Sequence, residues 1–291
     1  MDEMTVKALA KINIGLDVTG VREDGYHLVR MIMQTVHMYD LVTVSKSAEA
    51  GITMKSNAKY LPTNDDNLCV KAAKLLAEEF DLKDGTQIRL SKRIPVAAGM
   101  AGGSSDAAAV LYGMNQIHGL GLSKKQLMER GVRIGADVPY CLMRGTALAE
   151  GIGEELTELP PMMRCPVLIA KPPISVSTKY VYEHLDAIEN PKHPDIDAMI
   201  ADITVGDLHA LGSHMGNILE DVTIQKYPVI AQIKDLMKAN GAIVSMMSGS
   251  GPTVFGLFED RQSARRAAQK IKEQKLAKQV YVTSIHHVRR K

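Results

Sequence analysis

The sequence predicts an α+β fold that is divided between two domains. Segments with strand-like and helix-like patterns interleave along the whole chain, as they do in α+β proteins. The chain has 291 residues, which exceeds the size at which one hydrophobic core usually keeps growing. Glycine and proline interrupt the pattern between residues 145 and 161, so we place the boundary there and predict domains at residues 1–155 and 156–291.

The first half contains most of the predicted strands. Alternation of apolar and polar residues predicts strands at residues 4–19, 26–38, 41–45, 51–55 and 87–94. The first two are joined by a turn at Glu23, Asp24 and Gly25. Apolar residues at helical spacing predict three helices, which open at residues 63–66, span 107–117 and run from Ser123 to about Ile134.

The second half alternates strands with helices more evenly. Strands are expected at residues 167–170, 242–247, 253–258 and 280–285. Helices are expected at residues 179–188, 207–217, 229–239 and 261–274. Pro228 fits the first turn of the third of these helices, Gly241 lies just past its end, and Asp260 caps the last.

Composition indicates an ordinary globular protein without a strong electrostatic preference. Hydrophobic residues make up 45% and charged residues 23% of the chain, and the net charge is +2. This balance argues against a surface for nucleic acid or for an anionic membrane. Cys69, Cys141 and Cys165 are far apart and odd in number, which predicts neither a disulfide framework nor a metal site. With no signal peptide and no membrane span in the pattern, we expect a cytoplasmic protein.

The segment from Pro95 to Ala109 is the most informative in the chain. It reads PVAAGMAGGSSDAAA, with a strand before it and an alanine-rich helix after it. Small residues allow backbone N–H groups to approach a ligand, and the following helix turns its unpaired N–H groups to the same point. This arrangement predicts a phosphate site. A glycine-rich turn leading into a helix capped by Ser104, Ser105 or Asp106 is the simpler alternative.

Familiar nucleotide-binding and hydrolase motifs are absent from the chain. The Walker lysine motif, the signature elements of protein kinases, the HExxH zinc motif and the GxSxG nucleophile motif do not occur. A phosphate loop without the Walker lysine needs a cation from elsewhere in the sequence.

Three blocks that span nearly the whole chain resemble the GHMP kinases. The first is LAKINI at residues 9–14, the second is the loop at residues 95–108, and the third is SGSGPTVF at residues 248–255. Their order and separations together match the family. The resemblance implies a ribosomal-protein-like N-terminal domain, a ferredoxin-like C-terminal domain and transfer of a phosphoryl group from ATP, with Mg²⁺ bound mainly through the ATP phosphates and Ser105 assisting.

Two further motifs, DGYH at residues 24–27 and GADVP at residues 135–139, are similar to one branch of the family. That branch phosphorylates the 2-hydroxyl of a substrate carrying a cytidine diphosphate group, in the non-mevalonate route to isoprenoid precursors. The resemblance implies a small-molecule substrate of this kind, no nucleic-acid or membrane partner, and a monomer or a homodimer.

The resemblance also implies roles for individual residues. Asp137 matches the catalytic aspartate, which accepts the proton of the attacking alcohol. Lys11 matches the paired lysine, whose ammonium favours the ionised aspartate and neutralises charge on the transferring phosphoryl group. An aspartate at a helix terminus and an exposed strand lysine are the structural alternatives.

The remaining predicted site residues are expected to bind either the nucleotide or the substrate. Asn13 lies on the same strand face as Lys11 because it is two residues further on. The implied substrate-binding residues are Asn13, Tyr26, His27, Thr178, Tyr182, Gly249, Ser250 and Gly251. The implied ATP-binding residues are Pro95, Val96, Ala97, Ala98, Gly99, Met100, Ala101, Gly102, Gly103, Ser104, Ser105 and Asp106 in the loop, with Asn67, Leu68 and Lys92 bordering the adenine. Tyr26 and Tyr182 are expected to stack on the cytosine.

The chain departs from the family pattern at two places. Met100 and Ala101 stand where the family usually has Leu-Gly, and Leu9 replaces a proline. Loss of the proline removes no chemistry. Alanine does not adopt a positive φ cheaply, so the loop is altered here if position 101 needs a left-handed backbone.

Two other functions stay open at the level of sequence. One is a GHMP kinase that acts on mevalonate, phosphomevalonate or homoserine, none of which carries a base for aromatic residues to stack on. The other is a catalytically inactive module that binds nucleotide or RNA. The presence of both Lys11 and Asp137 argues against an inactive protein, and an aromatic content of 4% argues against an RNA surface.

Overall fold

A computed structural model describes residues 2–288 of the chain as ten strands and ten helices. The strands are β1 (Glu3–Val21), β2 (His27–Ser47), β3 (Ile52–Ser56), β4 (Gly85–Ser91), β5 (Thr146–Glu150), β6 (Glu155–Glu158), β7 (Pro166–Lys171), β8 (Ala242–Met247), β9 (Val254–Phe258) and β10 (Gln279–Ser284). The helices are α1 (Leu68–Glu79), α2 (Gly102–Ile117), α3 (Lys124–Val132), α4 (Val138–Met143), α5 (Thr178–Leu185), α6 (Ile196–Val205), α7 (Leu208–His214), α8 (Glu220–Lys226), α9 (Val229–Ala239) and α10 (Arg261–Glu273).

These elements form two compact units. The first unit contains the chain up to Ala10, Met38–Val96 and Ala101–Arg144. The second contains Lys11–His37, Ala97–Met100 and the chain from Gly145 onward. Strands β1 and β2 and the glycine-rich loop therefore contribute residues to both units.

The first unit packs helices on a small mixed sheet. β3 runs parallel to β4, and β4 pairs antiparallel with the second part of β2, from Leu41↔Ser91 to Ser47↔Gly85. Helices α1 and α2 pack together. Ala107, Ala108 and Ala109 are all buried on α2, which lets the helix approach its neighbours closely. The start of α2 is thereby held in a fixed place within this unit.

The second unit contains a four-stranded antiparallel sheet in the order β10-β7-β9-β8. Along the chain its last elements run β8-β9-α10-β10 after β7 and intervening helices. This strand order, with the first strand beside the last and the third, is that of a ferredoxin-like sandwich. Phe255 and Phe258 on β9 are fully buried, and the sheet is covered by large buried residues of α9 and mostly small buried residues of α10. The expected ferredoxin-like architecture is confirmed.

Most of the predicted elements are present at close to their predicted positions. α9 has the predicted bounds, and Ser123 caps α3 with a reciprocal bond from Gln126. The predicted strand at residues 41–45 is wrong as a separate element, because β2 continues without a break to Ser47. α2 begins at Gly102, five residues before the predicted start. The sequence patterns missed β5, β6, α4, α6 and α8, which are short elements shaped by packing around them.

Within residues 2–288, no helix combines the length and the apolar character that crossing a bilayer requires.

Candidate active site

The glycine-rich loop between β4 and α2 is built from left-handed residues. Ala97, Gly99 and Ala101 have φ values of 49°, 68° and 52°. Position 101 thus has a left-handed backbone. The alanine that replaces the usual glycine of the family adopts this conformation. The left-handed region costs a non-glycine residue about 1–2 kcal/mol. The loop keeps its shape at the cost of local strain.

α2 begins directly after this loop without a side-chain cap. Ala101 is the N-cap residue, and no side chain accepts a hydrogen bond from the first turn. Ser104, Ser105 and Asp106 lie inside the helix, so the simpler expectation that one of them caps it is wrong. Ser105 is buried, and its hydroxyl donates to the carbonyl oxygen of Leu9 at 2.7 Å. The first N–H groups of α2 are therefore left to an external acceptor or to water.

A side chain of α1 and that of Lys92, the residue after β4, lie against the start of α2. A Cβ added at Gly103 would lie 3.7 Å from Cδ1 of Leu68, and one added at Gly102 would lie 2.9 Å from Nζ of Lys92. Asn67 is the N-cap of α1 and accepts from the N–H of Cys69 at 2.9 Å. The first unit thus brings Leu68 and Lys92 beside two loop glycines.

Lys92 lies in a buried cluster with two carboxylates. Its ammonium donates to Asp40 at 2.5 Å and to Asp106 at 2.7 Å. Asp40 also accepts the backbone N–H groups of Arg93 and Ile94, the second at 2.8 Å. The side chains of Lys92, Asp40 and Asp106 are 6%, 0% and 3% exposed. The cluster joins the end of β4, where the loop begins, to α2, where it ends.

Burial changes the proton affinities within this cluster. Burial raises the pKa of the Asp106 carboxyl to about 8, although the Lys92 ammonium acts in the opposite direction. Burial also lowers the pKa of Lys92, but Asp106 and Asp40 outweigh it and hold that pKa above its ordinary value. Two carboxylates facing one ammonium carry a net negative charge, and a proton on Asp106 cancels it. The nearby Cys69 thiol has a pKa well above its ordinary value, chiefly because it is buried.

The second unit brings the three sequence blocks together around Lys11. The Lys11 ammonium donates to Oδ1 of Asn13 at 2.7 Å, and its backbone N–H donates to the carbonyl oxygen of Met100 at 3.2 Å. The backbone N–H of Asn13 donates to Oγ of Ser248 at 3.3 Å, and that hydroxyl donates to the carbonyl oxygen of Gly99 at 2.8 Å. Lys11 is 5% and Asn13 0% exposed. One hydrogen-bonded chain therefore joins β1, the glycine-rich loop and the third block.

Close backbone approach explains the glycine at position 99. A Cβ there would lie 2.0 Å from the carbonyl oxygen of Ser248, which no side chain could tolerate. Asn217 supports the other side of the turn, because its amide donates to the carbonyl oxygens of Met247 and Gly249 at 2.9 and 2.8 Å. The third block is thus held against the loop by backbone contacts that need small residues.

Asp137 lies in the first unit, at the start of α4. It is the N-cap residue of that helix, but its side chain makes no capping hydrogen bond. Pro139 follows in the first turn, and the Asp137 carbonyl oxygen accepts from Cys141 at 3.0 Å. The helix therefore begins without a capping bond from the Asp137 carboxylate.

A second group of predicted residues lies around the start of β2 and helix α5. Tyr26, 61% exposed, follows the turn at Gly25, whose φ is 84°. The rings of His27 and Tyr182 are 4.8 Å apart with a 42° tilt, and Nε2 of His27 lies 2.8 Å from Oδ1 of Asp186. The hydroxyl groups of Thr178 and Ser250 lie 2.8 Å apart. Aromatic faces next to polar groups suit a flat, partly polar ligand such as a nucleobase.

Comparison with known proteins agrees with this arrangement. The family model described as GHMP kinases N terminal domain matches residues 67–145, and the one described as GHMP kinases C terminal matches residues 199–277. A protein of Lachnospira eligens named 4-diphosphocytidyl-2-C-methyl-D-erythritol kinase is 55% identical over 97% of this chain and 98% of its own length. The chain belongs to the GHMP kinase family.

Other members are similar over the same extent. A protein of Lachnoclostridium phytofermentans with the same name is 53% identical over 97% of both chains. A solved structure of 4-(cytidine 5'-diphospho)-2C-methyl-D-erythritol kinase covers 98% of this GHMP kinase and all of its own chain, with 29% identity and a TM-score of 0.84. Homoserine kinase from Cytophaga hutchinsonii shares the fold, with 22% identity and a TM-score of 0.76. The predicted two-domain α+β fold of the family is confirmed.

Several residues that shape this GHMP kinase site were not found from the sequence. Asp40, Asp186, Asn217 and Ser248 all hold predicted site residues in place. Only Ser248 belonged to a recognised motif. The others are single polar residues far along the chain from their partners, and no spacing rule connects such positions. The burial of Asp40 is visible only in the structure, because β2 carries several other polar residues.

Proposed function

We propose that this chain transfers the γ-phosphoryl group of ATP to the 2-hydroxyl of 4-diphosphocytidyl-2-C-methyl-D-erythritol, giving the 2-phosphate and ADP. One observation carries the kinase assignment: the hydrogen-bonded chain from Lys11 through Asn13 and Ser248 to Gly99. It joins a buried cation to a loop that is shaped for phosphate. The near full-length similarity to kinases with this substrate in their name supports the choice of acceptor.

In this proposal the glycine-rich loop and the start of α2 hold the ATP phosphates. The uncapped N–H groups of the first turn supply donors, and the positive end of the helix favours negative charge. Leu68 and Asn67 border the nucleotide on the side of α1. Lys92 stays bound to Asp40 and Asp106, and its role is to stabilise the loop.

Asp137 acts as the general base and Lys11 as the charge partner. The 2-hydroxyl oxygen attacks the γ-phosphorus, the bond from phosphorus to the bridging oxygen of ADP breaks, and Asp137 takes the hydroxyl proton. Lys11 offsets the negative charge on the transferring group. Its bond to Asn13 fixes the ammonium, and fixed charges stabilise a transition state more than mobile ones do.

Mg²⁺ fits this site as a companion of the ATP phosphates. Within residues 2–288, no group of three or more His, Cys, Asp or Glu side chains is placed to hold a metal ion. The Ser105 hydroxyl donates its hydrogen bond to the carbonyl oxygen of Leu9, so the lone pairs of the hydroxyl oxygen can accept a cation. When bound, Mg²⁺ neutralises charge on the β- and γ-phosphates.

The cytidine end of the substrate is assigned to the group around β2 and α5. Tyr26 and Tyr182 offer rings for stacking, and His27 offers a polar edge. Thr178, Gly249, Ser250 and Gly251 are assigned to the polar remainder of the substrate. The partner is thus a small molecule, and we propose a cytoplasmic protein that acts as a monomer or a homodimer without nucleic acid. The three cysteines are buried and form no disulfide with one another, which agrees with a reducing compartment.

A substrate panel tests the proposal. ADP release is measured with ATP, Mg²⁺ and either the cytidine diphosphate substrate, mevalonate, phosphomevalonate or homoserine. The proposal predicts turnover of the first and none above background for the others. Turnover of mevalonate or homoserine alone refutes the substrate assignment, and ATP binding without turnover of any substrate indicates an inactive module instead.

A further inference from the structure

The outer edge of β8 is covered by side chains at the point where the strand meets the third sequence block. β8 is an edge strand, because its sheet has the order β10-β7-β9-β8. Backbone groups that point away from an edge strand need partners outside the sheet. At Met247, the last residue of β8, Glu220 accepts the N–H at 2.7 Å, and the amide of Asn217 donates to the carbonyl oxygen at 2.9 Å. Side chains of one short segment therefore hold both backbone groups of Met247.

The same segment is also fixed to β1. The N–H of Leu16 donates to the carbonyl oxygen of Gly216, and the N–H of Ile218 donates to the carbonyl oxygen of Leu16, both at 3.0 Å. Asn13 and Lys11 precede Leu16 on the same strand. Residues 216–220, which we call the bridging segment, thus join the strand that carries Lys11 to the end of β8.

Glu220 is itself held in a fixed orientation. Lys234 on α9 donates to Oε2 of Glu220, while Oε1 accepts from Met247. The side chains of Lys234 and Glu220 are 16% and 14% exposed, so water reaches this pair only in part. Hydrogen bonds to an ionised acceptor are shorter and stronger than those between neutral groups. The carboxylate is therefore a firm anchor for the backbone of Met247.

The direct contact between β1 and the third block is weaker than this anchor. The N–H of Asn13 donates to Oγ of Ser248 at 3.3 Å, beyond the usual N–H···O distance of about 2.9–3.0 Å. Ser248 directly follows Met247, so the anchor on Met247 decides where the serine hydroxyl lies. Asn13 in turn holds the ammonium of Lys11 at 2.7 Å. A displacement of Met247 would therefore reach Lys11 through two hydrogen bonds.

We infer that Glu220 is a positioning residue for phosphoryl transfer, and that it acts on Lys11 through the third block. The inference rests on the proposed function, in which Lys11 offsets charge on the transferring group, and it adds the residue that sets the place of that ammonium. Glu220 touches no reacting atom. A misplacement of about 1 Å in a reacting geometry can cost on the order of a hundredfold in rate, so a remote anchor affects kcat.

Two conservative substitutions separate the reach of Glu220 from its charge. Glu220→Asp keeps the charge but is one methylene shorter, so it loses the hydrogen bond to Met247. Glu220→Gln loses the charge but keeps the length and an oxygen that accepts a hydrogen bond. We expect Glu220→Asp to lower kcat about tenfold or more, with the KM for ATP within about threefold of the wild type. Glu220→Gln should keep kcat within about threefold.

A merely structural role predicts the opposite order. Glu220 lies in the first turn of α8, where a negative charge stabilises the end of a helix. Aspartate would preserve that effect and glutamine would not. Urea unfolding of both variants measures this contribution separately from kcat. A loss of kcat in Glu220→Gln alone, equal losses in both variants, or wild-type kcat in both overturns the inference.

A control and a double variant test the route of the effect. Asp202→Ala is the matched control, because Asp202 is 13% exposed and pairs with His214 at 2.7 Å in the same unit. It should keep the wild-type kcat. Glu220→Asp should lower kcat less in a Ser248→Ala background than in the wild type, since the contact that transmits the displacement is then already lost. Additive losses would contradict the route through Ser248.

NMR of the Lys11 ammonium tests the inference without turnover. Its ¹⁵N signal should shift in Glu220→Asp and stay close to the wild-type position in Glu220→Gln. A signal that moves in neither variant, in a protein that phosphorylates the cytidine substrate, overturns the role of Glu220 alone. A wild type that turns over no substrate overturns the proposed function, and the same NMR comparison then decides whether Glu220 positions Lys11.

Discussion

The Lys11 ammonium is buried on β1 and is held there by a hydrogen bond to the side chain of Asn13. A buried ammonium is costly unless it is hydrogen-bonded, and Lys11 is 5% exposed. The two-residue spacing to Asn13 predicted that both lie on one strand face, and the 2.7 Å hydrogen bond between their side chains confirms it. Their roles in the reaction stay predictions. The backbone bond from Lys11 to Met100 and the pair of His27 with Asp186 had no signal in the sequence.

Replacing Asp137 with asparagine tests the proposed general base. The amide cannot accept the hydroxyl proton, so we expect kcat to fall at least about a hundredfold. The ATP dissociation constant, measured by calorimetry, should change little. Asp195→Asn is the control, because Asp195 is also an N-cap residue and asparagine caps a helix equally well. Full activity in Asp137→Asn would show that Asp137 is not the general base.

Replacing Tyr26 with alanine tests the proposed stacking on the base. Stacking of an aromatic ring on a base contributes about 1–3 kcal/mol, so the KM for the cytidine substrate should rise roughly tenfold or more. The KM for ATP should stay within about twofold, because ATP is assigned to the other group of residues. Tyr60, which is 72% exposed, supplies the matched Tyr60→Ala control. Equal changes in both KM values speak against stacking by Tyr26.

At the scale of elements, the glycine-rich loop and α2 show what sequence patterns resolve and what they leave open. The pattern predicted a phosphate loop followed by a helix, and both are present. It placed the helix start too late, because Gly102 to Asp106 look like turn residues by propensity. In the structure α2 packs against α1, and it begins at Gly102, with Ala101 as its N-cap residue. Helix α6 was missed for a similar reason, since isoleucine, threonine and valine favour strands.

The strained alanine at position 101 gives a stability prediction. Ala101→Gly removes a left-handed conformation that costs an alanine about 1–2 kcal/mol and adds less than that in unfolded-chain entropy. We therefore expect the free energy of unfolding in urea to increase by about 0.5–1 kcal/mol. Ala108→Gly, inside α2, should instead destabilise the protein by about 1 kcal/mol or more. A loss of stability in Ala101→Gly would mean that the loop does not hold this backbone in solution.

The cluster of Lys92, Asp40 and Asp106 gives a prediction for pH. The pKa of Asp106 is raised by burial to about 8, so the folded protein binds a proton there that the unfolded chain releases near its ordinary value of 3.8. This contribution to stability is complete below the unfolded value and is lost as the pH rises through about 8. Lys92, Asp40 and Cys69 are the titratable groups that face Asp106.

Urea unfolding of Asp106→Asn at several pH values measures this effect. The wild type should lose stability relative to Asp106→Asn as the pH rises from about 5 to about 8, and the difference should level off above that, because the amide does not titrate. Asp260→Asn should follow the wild type in this range, since the hydrogen bonds from Ser263 lower the pKa of Asp260 and keep it ionised throughout. Parallel curves for the wild type and Asp106→Asn would show that Asp106 carries no proton in the fold.

At the scale of the whole molecule, the fold was predictable because three separate blocks and the alternation of elements pointed to the same architecture. The details that shape the site were not, because they depend on partners brought close by tertiary structure. Asp40 is 52 residues from Lys92, and His27 is 159 residues from Asp186. The domain boundary near residue 155 stays a prediction, while the compact units divide β1, β2 and the loop. A single boundary along the chain could not predict that residues of one strand belong to both units.

The central claim is phosphorylation of a particular hydroxyl, and proton-coupled ³¹P NMR of the product tests it most directly. Carbon 2 of the acceptor carries a methyl group and no hydrogen, so a 2-phosphate has no carbinol proton to split its signal. The account predicts one new phosphomonoester signal that is an unsplit line, formed only with ATP and the cytidine substrate. A doublet or a triplet would place the phosphate on carbon 3 or carbon 1 and would contradict the account.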